Sequence, residues 1–363
     1  MLAADDKPGY PFYTASGSPH ELGRQHGEQA GRQIDRFLNY QARVLNIDRD
    51  GLRARALRFR GLLEETCPHL FEEVGGLAEG AGLPLGDALA SQFRGELAQV
   101  SEGACTAFAV APGGTADGKT LIGQNSDNPP ELVNFGYVLR LRPEAGPALM
   151  MWTFGGMIGY HGFNEHGVAH FANSLGGGPG WKLALSHYPL KRMILEQRSV
   201  DDVVRLMRSV PVCSNGNYVL GDGSGAIADV ELTSDGPELI DNGQQGFVAH
   251  ANHYLCTRYA SNENHQQSVP DSFSRQTRIE ELIRAKLGSV TLEDTKTFLR
   301  DHAGKPTGIC RHSHDGENHS MLDNSGKTVA SLIAEPASGS LHLSCGNPCE
   351  NEFVTYSLHD AAT

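Results

Sequence analysis

Residues 102–108 read Glu102-Gly103-Ala104-Cys105-Thr106-Ala107-Phe108, and Gly123-Gln124-Asn125-Ser126-Asp127 follows after one further strand-like stretch. Small residues before the cysteine and a short apolar run after it predict a turn that enters a strand. A cysteine at that junction has two readings. As a small hydrophobe it would simply be buried, which is common for a free thiol. As a nucleophile it would gain a second function if its own N-terminal peptide bond broke, because the new α-amine could take the thiol proton. Thiols ionise near ~8.5 and α-amines near ~7.7–8.0, so the pair is matched at neutral pH. Cleavage requires the Cys105 thiol to attack the Ala104 carbonyl across a strained turn, and Gly103 and Ala104 are small enough for one.

The chain changes character at this junction. Upstream, the sequence predicts helices. Ser18-Pro19-His20-Glu21 is a capping box with proline at the first helical position, opening an amphipathic helix over about 19–47. Further helical periodicity covers about 51–66, 68–80 and 86–99. Downstream, the period shortens towards two. Strands are predicted at Thr106–Ala111, Lys119–Gln124, Tyr137–Leu141, Ala148–Phe154, Ile158–Asn164 and Val168–Asn173, as an antiparallel meander. Helices return at about 187–197 and 200–209. Strands follow at Asn217–Gly221, Ala226–Leu232, Glu238–Ile240 and Gly246–Ala249, then helices at about 273–286 and 291–301. Closing strands are predicted at Ser320–Asp323, Thr328–Ala334 and Ser340–Ser344, and the polar stretch 256–272 as an exposed loop. Blocks of helix alternating with blocks of antiparallel strand indicate layered α+β rather than βαβ winding.

Composition narrows the partners. The 363 residues carry 43 acidic and 30 basic side chains, a net charge of −13, which argues against nucleic acid or an anionic membrane as partner. No apolar run approaches the roughly 20 residues of a membrane span, and the first residues lack the pattern of a signal peptide. A cytoplasmic protein is expected. The seven cysteines are scattered and odd in number, so they read as thiols and not as a disulfide framework. Cys345 and Cys349 are close, but one such pair is a weak zinc signal. His250, His253, His312, His314 and His319 lack the paired spacing that sets ligands on one helix face. Neither metal nor cofactor is expected.

Several segments together resemble the acyl-coenzyme A:6-aminopenicillanic acid acyltransferase family, the C45 group of N-terminal nucleophile hydrolases. They are Gly17 to Gly27, Cys105-Thr106-Ala107-Phe108, Gly123 to Asp127, Ile158 to Asn164, Gly167-Val168, His250-Ala251-Asn252-His253 and Gly308-Ile309-Cys310-Arg311-His312. Their order spans nearly the whole chain. The resemblance implies a four-layer αββα sandwich, two packed antiparallel sheets flanked by helices. It implies cleavage between Ala104 and Cys105, giving a helical α chain 1–104 and a β chain 105–363 that remain one structural unit. Cys105 aligns with the self-cleaving nucleophile, Asp127 with an acid that orients or stabilises the new α-amine, and Asn252 with the oxyanion-hole asparagine. Thr106, Asn125 and Arg311 are the expected substrate contacts, with an internal acid as the other partner for Arg311. In two places the chain departs from the family pattern: Ala104 stands where glycine precedes the nucleophile, and Ser126 replaces the motif's tryptophan.

The expected activity is amide hydrolysis or acyl transfer through an acyl-cysteine, on a small acyl amide or acyl thioester such as an N-acyl amino acid, a β-alanyl-type conjugate or a penicillin-like amide. The alternatives are an acyl-CoA-dependent N-acyltransferase, a metal-dependent hydrolase built on His250, His253 and His312, and a non-catalytic binding protein. Trp152, Phe154, Tyr160 and Phe163 stand either in an acyl pocket or in the core. The expected assembly is an α/β heterodimer from one precursor, its further oligomerisation left open.

Overall fold

In the computed structural model, which describes residues 9–97, 103–260, 270–313 and 326–359, the described strands form two sheets. The larger has the order β1 (Phe12–Gly17), β4 (Gly136–Pro143), β5 (Leu149–Phe154), β6 (His161–Asn164), β7 (Ala169–Ser174), β8 (Gly216–Gly221), β9 (Ile227–Thr233) and β10 (Gly236–Asp241). The smaller runs β11 (Phe247–His250), β2 (Ala104–Val110), β3 (Leu121–Asn128), β12 (Lys327–Glu335), β13 (Ser340–Cys345) and β14 (Phe353–Ser357). All pairings are antiparallel except β1 with β4. The helices are α1 (Pro19–Val44), α2 (Arg49–Leu57), α3 (Arg60–Thr66), α4 (Pro68–Ala81), α5 (Leu85–Ala90), α6 (His187–Ile194), α7 (Val200–Ser209), α8 (Pro270–Arg284) and α9 (Leu292–Leu299).

Alternation along the strands builds the layers. On β4 and β5, Tyr137, Leu139, Leu141, Leu149 and Met151 join Leu22, Ile34, Leu38, Val74 and Leu77 of α1 and α4 in one core. The intervening Val138, Met150 and Trp152 turn the other way and meet Ala107, Ala109, Ile122, Val329 and Leu332 of the smaller sheet. On the far side, Phe108, Val110 and Leu121 pack on Ile279, Ile283, Phe298 and Leu299 of α8 and α9. The result is the expected αββα sandwich.

Several sequence expectations change. The N-terminal part is not all helical: Phe12–Gly17 is a strand, too short and too exposed to show an apolar face. The helix expected over 51–66 is two, parted where Arg58 and Phe59 close tight turns on Arg55 and Ala56. Likewise the one expected over 86–99 ends at Ala90, followed by a 3-10 turn at Gly95–Leu97. The meander breaks after β3, where Asn128-Pro129-Pro130 stops the ladder and a 3-10 turn at Pro130–Phe135 carries the chain to the other sheet. The strand expected at Ile158 begins only at His161, after the left-handed pair Gly155-Gly156. The closing strand Phe353–Ser357 was not foreseen, and the one expected at Ser320–Asp323 lies outside the described residues.

The capping box forms: Ser18 Oγ accepts from the Glu21 N–H, and the Glu21 carboxylate accepts from the Ser18 N–H. The crossing of α1 and α4 is closer than side chains allow. A methyl at Gly23 would run into the Glu73 carbonyl oxygen, and one at Gly76 into that of His20. By contrast a methyl at Gly75 meets nothing. In urea unfolding, Gly23→Ala is therefore expected to lower stability by about 1–3 kcal/mol. Gly75→Ala should leave it unchanged or raise it by up to about 1 kcal/mol.

Candidate active site

The period of β2 decides what Cys105 can reach. Cys105, Ala107 and Ala109 face the larger sheet, whereas Thr106, Phe108 and Val110 face α8 and α9. In the β2–β3 register Cys105 lies opposite Ser126, and Ala104 opposite Asp127. Asp127 therefore shares the helix-facing side with Thr106, while the Cys105 sulfur points between the sheets. There it lines a cavity of about 220 Å³ together with Arg94, Tyr160, Ser174, Trp181, Tyr188 and Lys191. Only 6% of Cys105 is exposed.

Both main-chain groups of Cys105 are gripped by side chains. Its N–H donates to Asn252 Oδ1 at 2.8 Å. Its carbonyl accepts from Arg275 Nη1 at 2.6 Å. Arg275 also donates to Thr106 Oγ1 and to Asn252 Oδ1, each at 2.9 Å. The remaining Arg275 donor, Nε, meets Asp271 at 2.9 Å. Asp271 accepts in turn from Arg311 Nη2, and Arg311 Nε stands 3.6 Å from Asp127 Oδ2. Thr328 Oγ1 donates to Asp127 Oδ1 at 2.7 Å. Two guanidinium groups and two carboxylates thus alternate behind the strand, from Asn252 to Asp127. Burial of charges at this density is tolerable because each has an opposite neighbour.

The electrostatics follow from this burial. Cys105 is pushed up to about 11, first by burial and then by the Asp127 charge; the Asp127 backbone N–H, Arg275 and Lys191 oppose the rise. Asp127 is raised to about 6 by burial, against the pull of Arg311 and Arg275. Asp271 also pays for burial, yet Arg275 and Arg311 outweigh it and hold the carboxyl below its ordinary value. An internal Cys105 thiol is therefore protonated at neutral pH and needs a base.

The turn before Cys105 is built for close approach. Gly103 has φ of +69°, and a methyl there would meet the Asp127 carbonyl oxygen. Ser174 Oγ donates to the Gly103 carbonyl at 2.8 Å. The Asn252 amide donates to Ser174 O at 3.0 Å and Oγ at 3.2 Å. Ser174 thereby connects the asparagine to the residue before Ala104.

Of the residues singled out in the sequence, the structure brings Cys105, Asp127 and Asn252 into one network. It does not bring Thr106, Asn125 or Arg311 to the cavity. Thr106 faces the helix layer and is tied to Arg275. Asn125 faces the same layer and donates to the Leu299 and Ile309 carbonyls, each at 2.8 Å. Arg311 meets the internal acids. Tyr160 reaches the cavity, whereas Trp152, Phe154 and Phe163 are core, all fully buried. His250 is paired with Glu231 at 3.1 Å, and His253 is hydrogen-bonded to Ser272 at 2.8 Å. Neither joins His312 in a metal-ligating group among the described residues.

Sequence reasoning missed Arg275, Asp271, Ser174, Arg94 and Lys191. Arg275 carried a signal: on α8 it shares the buried face with Ser272, Gln276, Ile279 and Ile283, and a charge on the apolar face of an amphipathic helix needs a buried partner. Lys191 and Arg94 had none, because the cavity they line is assembled from segments far apart in the chain.

The sequence profile of the acyl-coenzyme A:6-aminopenicillanic acid acyl-transferase family matches residues 115–350, beginning beyond Cys105 and including Asp127, Asn252, Arg275 and Arg311. One curated relative, the acyl-coenzyme A:6-aminopenicillanic-acid-acyltransferase 40 kDa form of Emericella nidulans, is 24% identical over 360 residues, covering 96% of each chain. Among solved structures, a variant of the conjugated bile acid hydrolase of Clostridium perfringens is 15% identical, with TM-score 0.45, covering 70% of this chain and 97% of its own. Penicillin V acylase from Agrobacterium tumefaciens is 14% identical, with TM-score 0.44, covering 66% and 83%. The chain belongs to the acyl-coenzyme A:6-aminopenicillanic acid acyl-transferase family.

Proposed function

We propose that this protein is a self-processing N-terminal cysteine amidohydrolase or acyltransferase, cut between Ala104 and Cys105 into chains 1–104 and 105–363 that stay associated. The observation that carries this reading is the grip on Cys105. Its nitrogen and carbonyl are both fixed, by Asn252 and Arg275, while its side chain lines the cavity between the sheets. Any buried strand residue needs partners for these two groups; what is particular here is that side chains supply them while the thiol side chain borders a cavity.

In the precursor, the Cys105 sulfur adds to the Ala104 carbonyl and the peptide nitrogen leaves as the new α-amine, giving a thioester that water hydrolyses. The amine then takes the thiol proton, which the buried thiol does not release unaided at neutral pH. Asn252 Oδ1, already bonded to that nitrogen, orients the amine. The ionised Asp127, behind the strand, stabilises its protonated form. The sulfur next adds to the substrate carbonyl. Its oxyanion takes the Asn252 amide donor now given to Ser174, together with a backbone N–H. The α-amine passes its proton to the leaving group, and the acyl-cysteine is released to water or to an acceptor amine. The same intermediate serves hydrolysis and transfer.

Around the cavity, Lys191 Nζ lies 4.4 Å from the Tyr160 ring centre and 4.9 Å from that of Tyr188. Arg94 and Lys191 stand there against one carboxylate, Glu96. This balance suits a small acyl amide carrying an anionic group, such as an N-acyl amino acid or a β-alanyl-type or penicillin-like amide. All seven cysteines are free thiols, which fits work in a reducing compartment such as the cytoplasm.

Intact-mass analysis of purified protein should show two fragments with Cys105 at a new N-terminus, and Cys105→Ala should remain one inactive chain; an intact wild-type chain with full activity would refute the processing. Because a carboxyl raised to about 6 is ionised above that pH and protonated below it, kcat/KM of the cut enzyme should fall as pH drops through about 6. A flat profile to pH ~4.5, near an ordinary carboxyl's range, would remove the requirement for ionised Asp127. Lys191→Met should raise KM for anionic acyl amides by roughly tenfold while changing kcat little, since it removes ground-state attraction. Equal effects on neutral amides would contradict an anion-binding role.

A further inference from the structure

Away from the cavity, the loop that follows α9 and the turn after β13 bring four ligating side chains together. We propose that His302, Cys310, His312 and Cys349 form a structural zinc site. Their ligating atoms all lie within 4.8 Å of one another. His302 Nε2 and His312 Nε2 are 3.1 Å apart. The Cys310 and Cys349 sulfurs are separated by 3.6 Å. His312 Nε2 lies 3.4 Å from Cys349 Sγ and 3.7 Å from Cys310 Sγ.

Four of the six separations have the size of a metal tetrahedron's edges, and His302 lies within 4.8 Å of both sulfurs. With Zn–S near 2.3 Å and Zn–N near 2.0–2.1 Å, the edges are roughly 3.3 Å for N–N, 3.6 Å for N–S and 3.8 Å for S–S. A disulfide would need about 2.05 Å between the sulfurs. Two imidazole nitrogens that turn the same ring position towards one point also need a shared proton or a shared cation. Two sulfurs and two nitrogens in this geometry select zinc among the common divalent ions.

The surroundings support the ligands. Asn347 Nδ2 donates to Cys310 Sγ at 3.5 Å and to the Arg311 carbonyl at 2.7 Å. Glu350 Oε1 stands 3.7 Å from His312 Nδ1, the ring nitrogen that would not bind metal. The backbone fixes the loop, with Cys310 N–H bonded to Asp301 O at 3.0 Å and His312 N–H to Pro306 O at 2.8 Å. No paired spacing motif reveals the set, because three ligands come from the loop after α9 and the fourth from the turn after β13. Cys345, which made the suggestive sequence pair with Cys349, lies on β13 and is not part of it.

The site has a consequence for the catalytic network. Arg311 lies between two ligands, and its guanidinium bridges Asp271 and Asp127. Zinc would therefore act as a positioning element, holding Cys310 and His312 so that Arg311 stays behind the nucleophile strand. The two thiols bind as thiolates and release their protons to solvent.

The test is metal content of the full chain, produced with zinc in the medium and freed of loosely held metal. Elemental analysis should give about one zinc per chain, and cobalt loaded in its place should show the intense visible bands of a tetrahedral thiolate site. Cys349→Ser should lose the metal and melt at lower temperature. Cys345→Ser should keep it. Should the first variant not fold, titrating wild-type protein with an organomercurial, which caps thiols, should release the zinc stoichiometrically. A folded wild-type chain that retains no metal after zinc loading would overturn the proposal. So would a Cys310–Cys349 disulfide, seen as a loss of about 2 Da, in freshly isolated protein, or equal zinc loss in Cys345→Ser.

Discussion

The rest of the site depends on one constraint, the two-residue period of β2 through Cys105. It sends the sulfur between the sheets and leaves the strand's other face to Thr106, Arg275 and the acids. Without that separation, thiol and charge network would compete for the same space. With it, the residue is held from behind by its own main chain, through Asn252 on the nitrogen and Arg275 on the carbonyl. The position of Cys105 is thus fixed through its main chain.

The network behind the strand holds only as a whole. Removing one member of a buried ion pair typically costs about 3–5 kcal/mol, because the partner is left charged and unpaired. Asp271 connects Arg275 to Arg311, so losing it would remove the carboxylate that both guanidinium groups share. This makes α8 part of the network that holds Cys105, although none of its residues lines the cavity. It also gives the loop carrying Cys310 and His312 a reason to be rigid, since Arg311 reaches Asp127 from it.

The layered α+β class was legible in the sequence because blocks of helical and two-residue periodicity alternate, and the αββα order followed from the family resemblance. The edge strands Phe12–Gly17 and Phe353–Ser357 were not, since half-exposed edges show no continuous apolar face. At the site, Cys105 was marked by its turn-and-strand setting, and Asp127 and Asn252 by the family resemblance; the structure joins all three in one network. Arg311 meets the internal acids that were one of its two expected partners, whereas Thr106 and Asn125 lie away from the cavity, because motif membership does not say which face of a strand, or which layer, a side chain joins. Asn125 and Asp127 face the helices while Gln124 turns to Asn173 in the other sheet. Lys191 and the four-ligand cluster were invisible because they exist only after distant segments meet.

The central claim is that Cys105 is the acyl-carrying nucleophile. The most direct measurement is to mix the cut enzyme with a slowly released acyl amide, quench in acid and map the peptides by mass. The added acyl mass should sit on the peptide that begins at Cys105, on its sulfur, and disappear on treatment with hydroxylamine. Turnover with the acyl group on another residue, or with no covalent adduct under single-turnover conditions, would contradict it.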